Sequence, residues 1–176
     1  MFRKIYPVVL LLILVCGLQF NCSSGGSNPV IDLSDPSTFP GTYKLKSITF
    51  KTAIDEFTDI GLQPPVTFQG DKATNVPIVV GTVTLQAAIT ISGALTLTQN
   101  TYMNTQTITI AINGFGTTTE SDTDTGTYSI SGNQLTAIGD NPDAGEDATT
   151  ISTITANGSQ MTLEDDEVQL VFTKKS

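Results

Sequence analysis

Apolar and polar residues alternate along much of this chain, and the longest such stretch covers residues 81–100. The apolar side chains there share one parity: Val83, Leu85, Ala87, Ile89, Ile91, Leu95 and Leu97. Threonine, serine and glutamine fill most of the other positions. A period of two predicts extended strand with one buried face. Gly93 stands where this series calls for an apolar residue, and it predicts a bend or a bulge.

The same alternation recurs on both sides of this stretch and predicts about eight strands joined mostly by short turns. The predicted strands cover residues 39–51, 81–100, 101–116, the later part of 117–130 after a polar beginning, 134–139, 149–156, 160–165 and 167–175. Residues 52–77 lack this pattern, and Pro64-Pro65 breaks whatever precedes it. We interpret that segment as a long loop, suited to covering a cavity mouth as a lid over residues 52–80.

Sequential hairpins in simple chain order predict an all-β fold. Closed on itself, such a meander gives an antiparallel up-and-down barrel of about eight strands. The alternative that stays open is a two-sheet β-sandwich.

The N-terminus has the pattern of an export signal. Arg3 and Lys4 precede an uncharged apolar run over residues 8–18, which is too short to span a bilayer core. The following "LQFNC" resembles a bacterial lipoprotein signal, with Leu18 four positions before Cys22. The resemblance implies that Cys22 becomes the lipid-bearing N-terminus.

Two features qualify that assignment. Asn21 departs from the small residue that lipoprotein signals place before the cysteine, and Cys16 is a competing site. Cys16 is the weaker candidate because it lies inside the apolar run and follows the bulky Val15. We therefore predict a signal peptide over residues 1–21, a flexible tether over 22–37 and one folded domain over 38–176. The protein is expected to be exported and lipid-anchored to a bacterial membrane. The outer membrane is favoured, with the protein on its periplasmic face or its surface face.

Composition excludes several function classes. The chain has no histidine, which removes Ser-His-Asp triads and histidine-ligated metals. Its 17 acidic and 8 basic residues leave no basic footprint for nucleic acid. The acids are all expected in loops, turns or the tether, where they cannot act as tuned acid–base pairs. We predict no enzyme activity, no metal and no cofactor, and the acidic loop over residues 140–147 is interpreted as a solvated loop.

Three segments resemble the lipocalin-like domains of bacterial lipoproteins: "PGTYKLKSI", "GTYSISGNQLTAI" and "ITANGSQMTLEDDEVQLVFTKK". In that group a Gly-x-Trp or Gly-x-Tyr opens the first strand, and here Gly41-Thr42-Tyr43 does so with tyrosine at the third position. The resemblance covers roughly residues 39–175. It implies an eight-stranded antiparallel barrel whose lumen holds one small apolar ligand.

The function hypothesis is a membrane-anchored lipoprotein that binds a small apolar ligand in its lumen. The alternative is a structural or adhesive surface lipoprotein, with a solid barrel and loops that contact macromolecular partners. The oligomeric state is left open. The candidate lumen-lining residues are Tyr43, Leu85, Ile89, Ile91, Leu95, Leu97, Ile108, Ile110, Val168, Leu170 and Phe172.

Overall fold

The structure is a computed structural model that describes residues 29–52, 63–80, 82–140 and 149–176. Within these ranges the chain forms strands and one short 3₁₀ turn at Pro36–Thr38. No helix among the described residues is long and apolar enough to cross a membrane. The strands are β1 Gly41–Phe50, β2 Val66–Gln69, β3 Thr74–Val80, β4 Val83–Leu97, β5 Thr101–Ile112, β6 Gly116–Ser131, β7 Gln134–Gly139, β8 Thr149–Asn157, β9 Gln160–Glu164 and β10 Val168–Lys174.

Eight of these strands close into a hydrogen-bonded ring. From β4 to β10 each strand pairs antiparallel with the next, β10 pairs with β1, and β1 pairs back with β4. This ring confirms the predicted antiparallel up-and-down barrel over the sandwich alternative. Its members correspond to the eight strands that the alternation predicts.

The remaining two strands fill a gap in the barrel wall. The pairing of β1 with β4 is short and runs from the Gly41–Leu97 pair to the Lys44–Ala94 pair. Beyond Lys44 and Ala94 the two strands diverge. β2 pairs with the rest of β1, and β3 pairs with the first half of β4. Gly70 joins the two sides, because its N–H bonds the Lys46 carbonyl oxygen at 2.7 Å while it bridges to Ile91.

The prediction of a loop over residues 52–77 is therefore wrong beyond residue 65, where the structure has the strands β2 and β3. The strand β3 escapes detection because Pro77 lies within it. A proline fits an edge strand, where its missing N–H removes no ladder bond on the paired side. Residues 53–62 lie outside the described residues, as does that part of the predicted lid.

Gly93 does not mark a bulge, so that part of the expectation is wrong. The pairing of β4 with β5 runs without a shift from Ala87 to Leu97. Glycine is needed because a Cβ at this position would lie 2.7 Å from the Thr105 carbonyl oxygen. The missing side chain thus lets neighbouring backbone approach closely without interrupting the strand.

We call the barrel end with the β4–β5, β6–β7 and β8–β9 turns the proximal end, and the opposite end the distal end. Residues 31–39, here called the N-terminal cap, close the proximal end. Ile31 and Phe39 are buried, and the Ile31 N–H bonds the Gly158 carbonyl oxygen at 2.9 Å. The Tyr43 hydroxyl donates a hydrogen bond to the Phe39 carbonyl oxygen, and this bond joins the cap to β1 at the proximal end. The described part of the predicted tether, residues 29–37, thus contacts the barrel.

Candidate functional site

The barrel interior contains a cavity of about 60 Å³. Its wall is mostly apolar, with leucine, valine and alanine side chains from β4, β7, β9 and β10. Two tyrosines, Tyr102 and Tyr128, the hydroxyl-bearing Thr150 and Ser152, and the acidic Asp165 complete it. An apolar wall with a few polar groups is the usual composition of a small-molecule site.

The structure distributes the predicted lumen residues between this cavity and the packed core. Four of them line the cavity: Leu95, Leu97, Val168 and Leu170. The other buried members pack in the core: Tyr43, Ile89, Ile91 and Phe172. Ile108 and Ile110 are half-buried against it, and Leu85 is also half-buried. Contact of any of these side chains with a ligand stays a prediction.

A row of polar side chains on β5 and β6 also faces the barrel interior. On β5 the row comprises Tyr102, Asn104 and Gln106, all buried, followed by the half-buried isoleucines of the same face. On β6, Asp124 faces Asn104, and Asp122 faces Gln106. Asp124 is 3% exposed, so the expectation that every acid lies in a loop, turn or tether is wrong.

The sequence carries a signal for this row. The parity that places Ile108, Ile110 and Ile112 on the inner face also places Tyr102, Asn104 and Gln106 there. The prediction rested on the apolar members of the series and on the tyrosines, so Asn104 and Gln106 were missed.

Asp124 lies in an environment that disfavours its charge. Burial raises the pKa of Asp124 to about 6, and the nearby Asp140 and Asp122 carboxylates add to the increase. The Tyr102 hydroxyl, which donates to Asp124 Oδ2 at 2.7 Å, and the Thr125 N–H oppose it. Burial likewise raises the pKa of the Tyr102 hydroxyl, so it stays a donor at neutral pH.

No lysine in the described ranges forms an ion pair with Asp124. The ion pairs found there join Lys44 to Asp71 and Lys51 to Glu164, on the outside of the barrel or at its rim. The same residues contain no cluster of three or more acidic or cysteine side chains placed to hold a metal ion. The Asp124 carboxylate therefore accepts hydrogen bonds from the Tyr102 hydroxyl and the Thr125 N–H, but it forms no ion pair with a lysine of the described residues.

Asn104 is the least satisfied group of the interior. It is 0% exposed, and neither its Nδ2 nor its Oδ1 has a hydrogen-bond partner. Leaving a buried amide unpaired costs about 1–3 kcal/mol relative to a paired or apolar group. Such a group needs a physical explanation, and a missing ligand is one.

Replacing Asn104 by leucine, which has a similar volume, is therefore expected to stabilise the protein. The free energy of unfolding should rise by about 1–3 kcal/mol, because the unpaired amide is removed and the space stays filled. Urea unfolding measures the change. The exposed Gln134→Leu exchange is the control and should change stability by less than about 0.5 kcal/mol. A loss of stability in Asn104→Leu would show that the amide is paired in the folded protein.

A second depression lies at the distal end, between the β5–β6 turn and the middle of the β3–β4 hairpin. It has a volume of about 430 Å³ and is wide open to solvent. Short or uncharged side chains line it, among them Ala88, Ala111 and Asn113. It lacks the enclosure of the interior cavity.

No protein-family model matches the sequence, and no curated protein matches it either. A crystal structure of a lipocalin-like protein from Bacteroides uniformis does match. The TM-score is 0.41 and the sequence identity 12%, over 77% of this chain and 97% of that one. This chain is similar to a bacterial lipocalin-like protein.

Proposed function

We propose that this chain is a membrane-anchored lipoprotein whose barrel binds a small ligand in its lumen and carries out no catalytic step. The observation that supports binding is the interior cavity with buried polar side chains beside it. Its apolar wall would bury a hydrocarbon body, and the polar row on β5 and β6 would orient it. Tyr102 connects the two, because its ring lines the cavity while its hydroxyl contacts Asp124.

The cavity limits the size of this ligand. Sites for drug-sized molecules occupy about 300–1,000 Å³, whereas this cavity measures about 60 Å³. Without rearrangement of the barrel, it accommodates a compact molecule of a few heavy atoms. A long fatty acid would require the core leucines to move apart.

A four-carbon series of n-butylamine, butan-1-ol and butyrate tests lumen binding. Thermal melting of the protein should shift upward with increasing concentration of at least one member, since a ligand that binds only the folded state stabilises it. The matched control is Ala137→Leu, which fills the cavity from β7, where Ala137 lines it. That variant should melt without any such shift. If no member of the series shifts the wild-type protein, lumen binding of small molecules is refuted.

The anchor is proposed from the sequence, and the fold is compatible with it. The N-terminal cap lies at the proximal end, where Ile31 bonds Gly158. A lipid attached upstream at Cys22 would hold this end toward the membrane and leave the distal end facing away. Several acyl chains on one cysteine would make the attachment durable, because one chain anchors only marginally.

Replacing Cys22 by serine is expected to move the protein from the membrane fraction to the soluble fraction, because the acyl attachment site is lost. Cys16→Ser is the matched control and should leave the protein membrane-bound. Fractionation followed by mass spectrometry of the N-terminal peptide measures both. Retention of the Cys22→Ser protein in the membrane, or release by Cys16→Ser, would contradict the assignment.

The alternative function is that of a structural surface lipoprotein, and the small cavity volume favours it. A barrel that is almost filled has little room for a ligand. In this interpretation the loops and hairpin tips would contact macromolecules, and the exposed Phe115 at the β5–β6 turn is one such position. The four-carbon series separates the two functions, because a structural barrel would respond to none of its members.

A further inference from the structure

The charge of the barrel interior points to one class of ligand. Asp124 is buried with its carboxylate on the inner face, Asp122 is half-buried on the same face, and Asp140 follows the end of β7 close enough to affect Asp124. No lysine of the described residues forms an ion pair with any of these three carboxylates. The interior thus presents negative charge with no basic side chain to neutralise it.

Asn104 supplies an independent indication that a ligand is missing. Its amide is fully buried, lies opposite Asp124 across the β5–β6 pairing, and has both polar atoms unpaired. Its Oδ1 requires a donor, and the neighbouring Asp124 carboxylate also accepts hydrogen bonds. One group that donates several hydrogen bonds would therefore satisfy both side chains.

We propose that the lumen binds a small organic amine, with its ammonium group between Asp124 and Asn104 Oδ1 and its carbon chain in the apolar cavity. This inference rests on the proposed function and specifies the ligand of the same site. An ammonium group carries three donors and the positive charge that the interior lacks. A hydroxyl on the adjoining carbon would in addition accept from Asn104 Nδ2.

The size and wall of the cavity agree with this ligand. A volume of about 60 Å³ suits a short aliphatic chain. Tyr102 and Tyr128 also line the wall, and tyrosine rings attract cations where water is excluded. An anionic ligand of the same size would instead meet Asp165 in the wall and the Asp124 carboxylate behind Tyr102.

The test is calorimetric titration of the whole protein with n-butylamine, butan-1-ol and butyrate at near-neutral pH. These compounds share a chain length and differ in charge. Butylamine should bind at least about tenfold more tightly than butan-1-ol, because it adds a charge-assisted hydrogen bond to a buried carboxylate. Butyrate should not bind measurably.

Asp124→Asn isolates the carboxylate, since it keeps the side-chain shape and an acceptor for the Tyr102 hydroxyl. Affinity for butylamine should fall by about tenfold or more, and affinity for butan-1-ol should stay within about twofold. Asp122→Asn, two residues earlier on the same face, is the matched control and should have the smaller effect. Melting curves confirm that each variant is folded.

Acidification provides a readout that a purely structural carboxylate would not give. The groups facing Asp124 are Tyr102 from β5, Asp122 from β6 and Asp140 after β7. Because the pKa of Asp124 is raised to about 6 by burial, the carboxylate gains a proton as the pH falls through that value. Butylamine stays protonated there, so its affinity should drop by about tenfold near pH 5 in the wild type. Asp124→Asn should show no such drop.

The outcomes separate this inference from the proposed function. If butan-1-ol or butyrate binds as tightly as butylamine, or if Asp124→Asn leaves the amine affinity unchanged, the amine assignment is wrong while lumen binding stands. If no compound binds, lumen binding itself fails, and the amine assignment with it.

Discussion

Replacing Phe68 by alanine should destabilise the protein by about 3–5 kcal/mol, because a fully buried phenyl ring is lost and leaves a cavity. Phe68 lies on the short strand β2 and is 0% exposed. Its ring packs edge-on against that of Phe50, with the centroids 6.2 Å apart. Through this contact, β2 fills the gap that opens where β1 and β4 diverge.

Chemical denaturation measures this effect, and Phe115→Ala provides the matched control. Phe115 is 74% exposed at the β5–β6 turn, so its loss should change stability by less than about 0.5 kcal/mol. Equal small effects of the two exchanges would mean that β2 is not part of the barrel wall.

Replacing Gly126 by alanine should cost about 3 kcal/mol or more and prevent correct pairing of β6 with β7. A Cβ at this position would lie 2.0 Å from the Ile138 carbonyl oxygen and 2.8 Å from Tyr102 Cε1. The first contact involves backbone and cannot be relieved by rotating a side chain. The second would push Tyr102 away from Asp124, so the interior site should be lost with the pairing.

Gly132→Asn serves as the control for this exchange. Gly132 lies in the β6–β7 turn with φ of 61°, and nothing lies within 4 Å of a Cβ there. Asparagine tolerates this left-handed conformation better than other residues with side chains. The control should fold as the wild type does, and near-UV circular dichroism reports the tyrosine environment in both variants. Normal folding of Gly126→Ala would contradict the close β6–β7 approach.

The barrel could be predicted from the sequence because its strands are long and their alternation is regular. In β4 the apolar series runs unbroken except at Gly93, and in β10 Val168, Leu170 and Phe172 share one face. The strands β2 and β3 escaped because β2 has four residues and β3 contains Pro77. Their position depends on the divergence of β1 from β4, which is a property of the assembled barrel and not of any local pattern.

Of the candidate site, only residues of the apolar cavity wall could be predicted from the sequence. Leu95, Leu97, Val168 and Leu170 follow from parity, and they do line the cavity. Asp124 was assigned to a polar connection because its neighbours along the chain are also polar. Only the pairing of β6 with β5 shows that one parity of this segment faces the interior. A polar side chain on an inner face breaks the alternation that predicts the strand, so a buried acid such as Asp124 is not found from the pattern alone.

Native mass spectrometry of the membrane-extracted protein, with and without the four-carbon series, tests the central claim that the lumen holds a small ligand. The structure-based prediction is one bound molecule per wild-type chain and none in Ala137→Leu. Binding that persists undiminished in Ala137→Leu would place the ligand outside the cavity. A bare mass for the wild type under all conditions would contradict the claim and favour the solid, structural barrel.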